Sequence, residues 1–130
     1  MIAGVGTDLV ELDRIGKAGV ERLARRILTD RELAALPAAP LRRLEFVAGR
    51  FAAKEAVAKA LKTGIGGLCS FSDVEIVSDG RGAPRAELSE EVVSRLFGGE
   101  PPFIHLSISH SEQYALAFAV VEIGRWPEQG

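Results

Sequence analysis

An α+β fold in one small domain, an antiparallel sheet with helices packed on it, is what this sequence predicts. Three observations predict it. Apolar runs of strand length stand at residues 2–10, 103–109 and 114–123, and a short polar turn joins the last two. A further strand–turn–strand pattern, FSDVEIVS–DGRG–APRAEL, occupies the middle of the chain. The rest carries helical patterns, so the order is strand, helices, hairpin, helix, second hairpin. With 130 residues there is room for one core, and residues 1–130 are assigned to a single domain.

In residues 2–10 Gly4 and Gly6 permit close approach of another backbone or a ligand. Asp8 interrupts this apolar run; such an Asp either marks the strand's end or holds something, a backbone amide or a metal. Residues 12–28 read as a helix with Asp13 as its N-cap, weakened by Gly16 and Gly19. After Asp13 its charges stand out: Arg14, Lys17, Arg22, Arg25 and Arg26 against the single acid Glu21. A basic run is most often a solvated face, but in an acidic chain it is also a candidate docking surface for an acidic partner.

Thr29-Asp-Arg-Glu32 matches a capping box and starts a short helix that Pro37 and Pro40 end. A longer helix is expected from about Leu41 into residues 50–62, RFAAKEAVAKALK, which Gly64 stops as a C-cap. At 3.6 residues per turn Phe51, Glu55, Lys59 and Lys62 share one side, with Lys54 just off it. Taken alone, that is a solvated face with a Glu–Lys pair. The glycine loop after Lys62 could fold over a phosphate but lacks the P-loop arrangement.

Residues 71–78 and 83–88 form the first hairpin around Asp79-Gly-Arg-Gly82, with Pro84 confined to the strand's start. Ser89 caps a short helix that Gly98 and Gly99 end. In residues 103–109 His105, Ser107 and Ser109 share one face, and Ile104, Leu106 and Ile108 the other. The last strand is apolar on both faces, so one face is expected to meet a second subunit. Residues 124–130 carry no signal.

A net charge of −2 argues against a chain built to coat nucleic acid. Cys69 stands alone, with no partner for a disulfide or a zinc cluster, which suits a reducing compartment. Neither a signal-peptide pattern nor a membrane-length apolar run occurs, so the expected location is cytoplasmic, with no membrane or nucleic-acid partner.

Asp8 within GVGTDLVELDRI, the helix Phe51-Ala-Ala-Lys54-Glu55-Ala56-Val-Ala-Lys59, and HLSISHSEQYALAFAVVE occur in that order over nearly the whole chain. Together they resemble the holo-acyl-carrier-protein synthases, a group of phosphopantetheinyl transferases. That resemblance implies a trimer with active sites between subunits, coenzyme A as substrate and an acyl carrier protein as acceptor. It implies that Asp8 and Glu55 ligate one Mg2+, with a serine hydroxyl attacking the coenzyme A pyrophosphate and adenosine 3',5'-bisphosphate leaving. The chemistry is consistent, since Mg2+ is held by one or two carboxylates plus water and phosphate oxygens.

On this reading Asp8, Glu55 and Lys59 are the catalytic residues, Lys59 being the cation for the leaving group. Arg50, Lys62, Gly64, His105, Ser107 and His110 are expected at the substrate, and Arg14, Arg22, Arg25 and Arg26 at the carrier. For His105 a core-facing role with a backbone partner is equally open. The base is left open between Glu55 and a water on the metal. Two other classes stay open: a magnesium-dependent phosphate-ester hydrolase, and a non-catalytic nucleotide or carrier-binding module. A Ser/His hydrolase lacks its G-x-S-x-G elbow here. Whether the carrier serves fatty acids or polyketides is not legible.

Overall fold

The computed structural model describes residues 1–124. Strand β1 (Ile2–Glu11) pairs antiparallel with β5 (Tyr114–Glu122), which also pairs antiparallel with β4 (Phe103–His110), giving a sheet of order β1-β5-β4. β2 (Val74–Ser78) and β3 (Pro84–Leu88) form a separate two-stranded hairpin. The helices are α1 (Leu12–Ala18), α2 (Val20–Ile27), α3 (Asp30–Ala34), α4 (Pro40–Ala60) and α5 (Glu90–Phe97). The result is the expected α+β architecture.

The long helix α4 is the centre of the core, packed on all three strands of the sheet. Its residues Val47, Ala48, Ala52, Ala53, Ala56 and Val57 are wholly buried. The glycines of β1 explain how it comes so close: a Cβ on Gly4 would overlap the Ala60 carbonyl, and one on Gly6 the Ala56 carbonyl. Strand backbone therefore rests directly on helix backbone, which only glycine permits. From β5, Ala115, Ala117, Ala119 and Val121 point into this seam.

Several sequence expectations need correction. The helix expected over residues 12–28 is two, because Gly19 takes a φ of 99° between α1 and α2. Asp13 lies in the first turn of α1, and Glu11 stands at its N-cap with no side-chain bond. The strand expected from Phe71 begins at Val74. Residues 71–73 form a 3-10 turn instead, because the Asp73 carboxylate accepts from the Ser70 amide (2.8 Å) and hydroxyl (2.9 Å). The Thr29–Glu32 capping box is present as expected.

Gly64 is not the cap of α4. Leu61 is the C-cap, and Lys62 takes the left-handed conformation next to it, at φ 66°. The Lys62 amide donates to the Lys59 carbonyl (2.9 Å) and the Thr63 amide to the Ala58 carbonyl (3.1 Å), a Schellman closure with lysine where glycine usually stands.

Candidate active site

Asp8 sits on β1 between Gly6 and Val10, the two residues buried against α4, and its side chain is half-buried at the margin of that seam. Lys59, from the last turn of α4, donates to Asp8 Oδ1 at 3.2 Å and to the Thr7 carbonyl at 3.0 Å. Glu55 lies one helical turn earlier on the same side. Burial raises its pKa above the usual carboxylate value; the Asp8 carboxylate pushes the same way, and the Lys59 ammonium opposes both. The three residues named from sequence as catalytic thus meet at one place.

Arg50 is elsewhere. Five residues before Glu55, it lies about 140° away around the helix. Its guanidinium stacks over the Phe46 ring, 4.2 Å from the centroid, and burial lowers its pKa, which the Glu32 carboxylate opposes. Its Nε is buried without a hydrogen-bond partner. Arg50 lines a groove of about 660 Å3 with Phe46, Pro84, Ile108 and His110, at the β4 side of α4. His110 Nδ1 stands 3.6 Å from Glu45 Oε2 in the same groove. Within one chain, α4 separates these groups from Asp8 and Glu55.

The remaining substrate candidates are dispersed. Lys62 and Gly64, the latter at φ 62°, begin the loop after α4, with the Gly64 amide also bonded to the Ala58 carbonyl. His105 and Ser107 lie on the face of the sheet turned away from α4, and His105 Nε2 pairs with Glu122 Oε1 at 2.8 Å. That face also exposes Val5, Leu9, Leu116 and Phe118. No helix covers it.

Arg14, Arg22, Arg25 and Arg26 are exposed and join no ion pair among the described residues. Glu21, the one acid of their segment after Asp13, is taken by Arg43 of α4 through bonds of 2.6 and 2.7 Å. The basic cluster is therefore even less neutralised than the sequence suggests.

Sequence reasoning missed one part of the surroundings. Lys54, expected beside the charged side of α4, is fully buried and paired at 2.7 Å with fully buried Glu32. Its flanking run of alanines was the available signal. Among the described residues no three His, Cys, Asp or Glu side chains gather in a metal-binding group, and no helix is long and apolar enough to cross a membrane.

Comparison with known proteins concerns the chain as a whole. Residues 4–119 match the model of the 4'-phosphopantetheinyl transferase superfamily. The chain is 52% identical over 128 residues to a holo-[acyl-carrier-protein] synthase of Geobacillus kaustophilus, covering 94% of this chain and 90% of that one. Among solved structures, a holo-(acyl-carrier-protein) synthase from Bacillus anthracis in complex with CoA (3',5'-ADP) superposes with a TM-score of 0.82 at 44% identity, covering 94% of this chain and 97% of its own. The synthase of Neisseria meningitidis gives 0.84 at 40% identity, with coverage of 95% and 100%.

Proposed function

Because this chain belongs to the 4'-phosphopantetheinyl transferase superfamily, we propose that Asp8, Glu55 and Lys59 form the centre of its phosphopantetheine transfer. The enzyme moves the 4'-phosphopantetheine of coenzyme A onto a serine of an apo acyl carrier protein. The serine oxygen forms a bond to the β-phosphorus while the bond from that phosphorus to the bridging oxygen breaks. Adenosine 3',5'-bisphosphate leaves with the bridging oxygen.

The donor set at Asp8 and Glu55 fits Mg2+. Two hard carboxylates are too few, and the wrong chemistry, for structural zinc, and they match an ion completed by water and phosphate oxygens. When bound, it would withdraw charge from the pyrophosphate oxygens. Lys59, fixed at the Asp8 carboxylate and the Thr7 carbonyl, supplies a cation for the bridging oxygen as charge builds there. Glu55, partly buried one turn from Lys59, is a group of this chain placed to receive the serine proton.

Arg50 and His110 face the opposite side of α4, so they are read as serving a site completed by a second subunit. The uncovered apolar face with Val5, Leu9, Leu116 and Phe118 supports an oligomer, read from the resemblance as a homotrimer. The unpaired arginines of α1 and α2 are the docking surface for an acidic carrier. A lone buried thiol, Cys69, suits the cytoplasm.

The observation that carries the site is the contact between Lys59 and Asp8, with Glu55 one turn away. Its test is the intact mass of apo-carrier incubated with enzyme, coenzyme A and Mg2+. A gain of one phosphopantetheine is expected with the wild type and none with Asp8→Asn or Glu55→Gln. Full transfer by either variant at limiting Mg2+ would remove these residues from the site.

A further inference from the structure

Lys54 and Glu32 make an ion pair inside the core, each with no exposed side-chain surface. The Lys54 ammonium donates to Glu32 Oε1 at 2.7 Å and to the Phe71 carbonyl at 2.9 Å. Glu32 Oε1 also accepts the Thr29 amide, and Oε2 accepts the Ile76 amide, both at 2.8 Å. One ion pair thus joins α3, α4, the 3-10 turn and β2, on the side of α4 away from the sheet.

Stability alone is a weak reason for this pair, because taking two charges out of water offsets most of their attraction, and apolar side chains of similar size often do as well. Direction is what it supplies. α4 buries mostly alanine, and small side chains form shallow ridges that do little to prevent rotation about the helix axis. The Gly4 and Gly6 contacts hold one side of the helix and Lys54 holds the other. Glu55 is the next residue. The bond to Phe71, with the Phe51 and Phe71 rings 5.7 Å apart, also anchors the far end of loop 61–70, to which Lys62 belongs.

We propose that Lys54 is a positioning residue: its bonds to Glu32 and to the Phe71 carbonyl set the rotation of α4 and the closure of loop 61–70, and so hold Glu55 and Lys59 against Asp8. This rests on the reading of Asp8, Glu55 and Lys59 as the reacting cluster. A displacement near 1 Å at such a cluster costs about a hundredfold in rate, so a small rotation is enough to matter.

Single substitutions strand a buried charge and endanger the fold, so the test uses Lys54→Met combined with Glu32→Gln. Lys54→Met with Glu32→Met is the second variant should the first fail to fold. Folding is checked by urea unfolding, and Mn2+ binding to the substrate-free protein by electron paramagnetic resonance. We expect a folded protein of reduced stability, because glutamine has one acceptor oxygen for the Thr29 and Ile76 amides, with a Michaelis constant for coenzyme A within about threefold, kcat lower by about 10- to 100-fold, and Mn2+ affinity weaker by about tenfold. Wild-type kcat and Mn2+ affinity in a folded double variant would overturn the proposal. Glu55→Gln is the control. If it binds Mn2+ and turns over as the wild type does, the reading of Glu55 itself fails, and the positioning role falls with it for that separate reason.

Discussion

Lys59 Nζ stands 3.2 Å from Asp8 Oδ1, a contact between residues 51 positions apart in the chain. It ties the end of α4 to the middle of β1 and places a cation beside two carboxylates. Lys59→Ala should leave the fold intact, since the lysine is about half exposed. Loss of one preorganised charge at a phosphoryl centre should lower kcat by about 10²–10³-fold. Steady-state transfer assays at saturating coenzyme A read this directly, and a rate within threefold of wild type would exclude Lys59 from the chemistry.

Lys62 holds a left-handed conformation at φ 66°. A side chain there costs roughly 1–2 kcal/mol, against which glycine's greater freedom in the unfolded chain must be set. Lys62→Gly should therefore stabilise the protein by up to about 1 kcal/mol, seen as a higher urea midpoint at unchanged slope. If turnover falls in this more stable protein, the lysine side chain has a role at the substrate that its backbone does not need.

Ala117 and Ala119, although in the strand expected to meet a second subunit, point into the α4 seam and are fully buried. The outward residues are Leu116 and Phe118, the latter 45% exposed. Phe118→Glu should give folded, monomeric protein with lost activity, as judged by light scattering and circular dichroism. Ala117→Arg should instead fail to fold. A Phe118→Glu variant that stays oligomeric would move the interface off this face.

Arg22→Glu with Arg25→Glu should raise the Michaelis constant for the carrier and flatten its dependence on salt, because exposed charges act mainly on encounter and are screened within about 8 Å at physiological ionic strength. Calorimetric affinity for coenzyme A without carrier should hold. Loss of coenzyme A affinity with carrier affinity kept would assign these arginines to the nucleotide.

Burial disfavours the charged form of Asp73, but bonds from the Ser70 amide, the Ser89 hydroxyl and the Ser70 hydroxyl outweigh it and hold its pKa below the usual aspartate value. The unfolded state therefore binds the proton first as pH falls. Its contribution is complete above the ordinary value of about 3.9 and is lost as pH drops through the lower folded pKa. Asp73→Asn should be less stable than wild type near neutrality, and the gap in urea midpoint should narrow as pH falls below the ordinary aspartate value. A gap independent of pH would mean that the carboxylate charge does not matter.

Local pattern determined much of this protein. Apolar runs, alternation and turn residues located each strand of the described residues, Thr29 and Glu32 gave their capping box, and the spacing of Glu55 and Lys59 put them on one side of a helix. Those features depend on neighbours within a few residues, which is why they were legible. The meeting of Asp8 with Lys59, the burial of Lys54 on Glu32 and the separation of Arg50 from Glu55 were decided only by the tertiary structure. A periodic pattern says which residues share a helix face, but not what that face meets. α4 is packed on several sides, so polar and apolar positions no longer distinguish inside from outside. There the choice between a solvated lysine and a buried one is made by a carboxylate 22 residues away in sequence and by the backbone amides that complete its bonding.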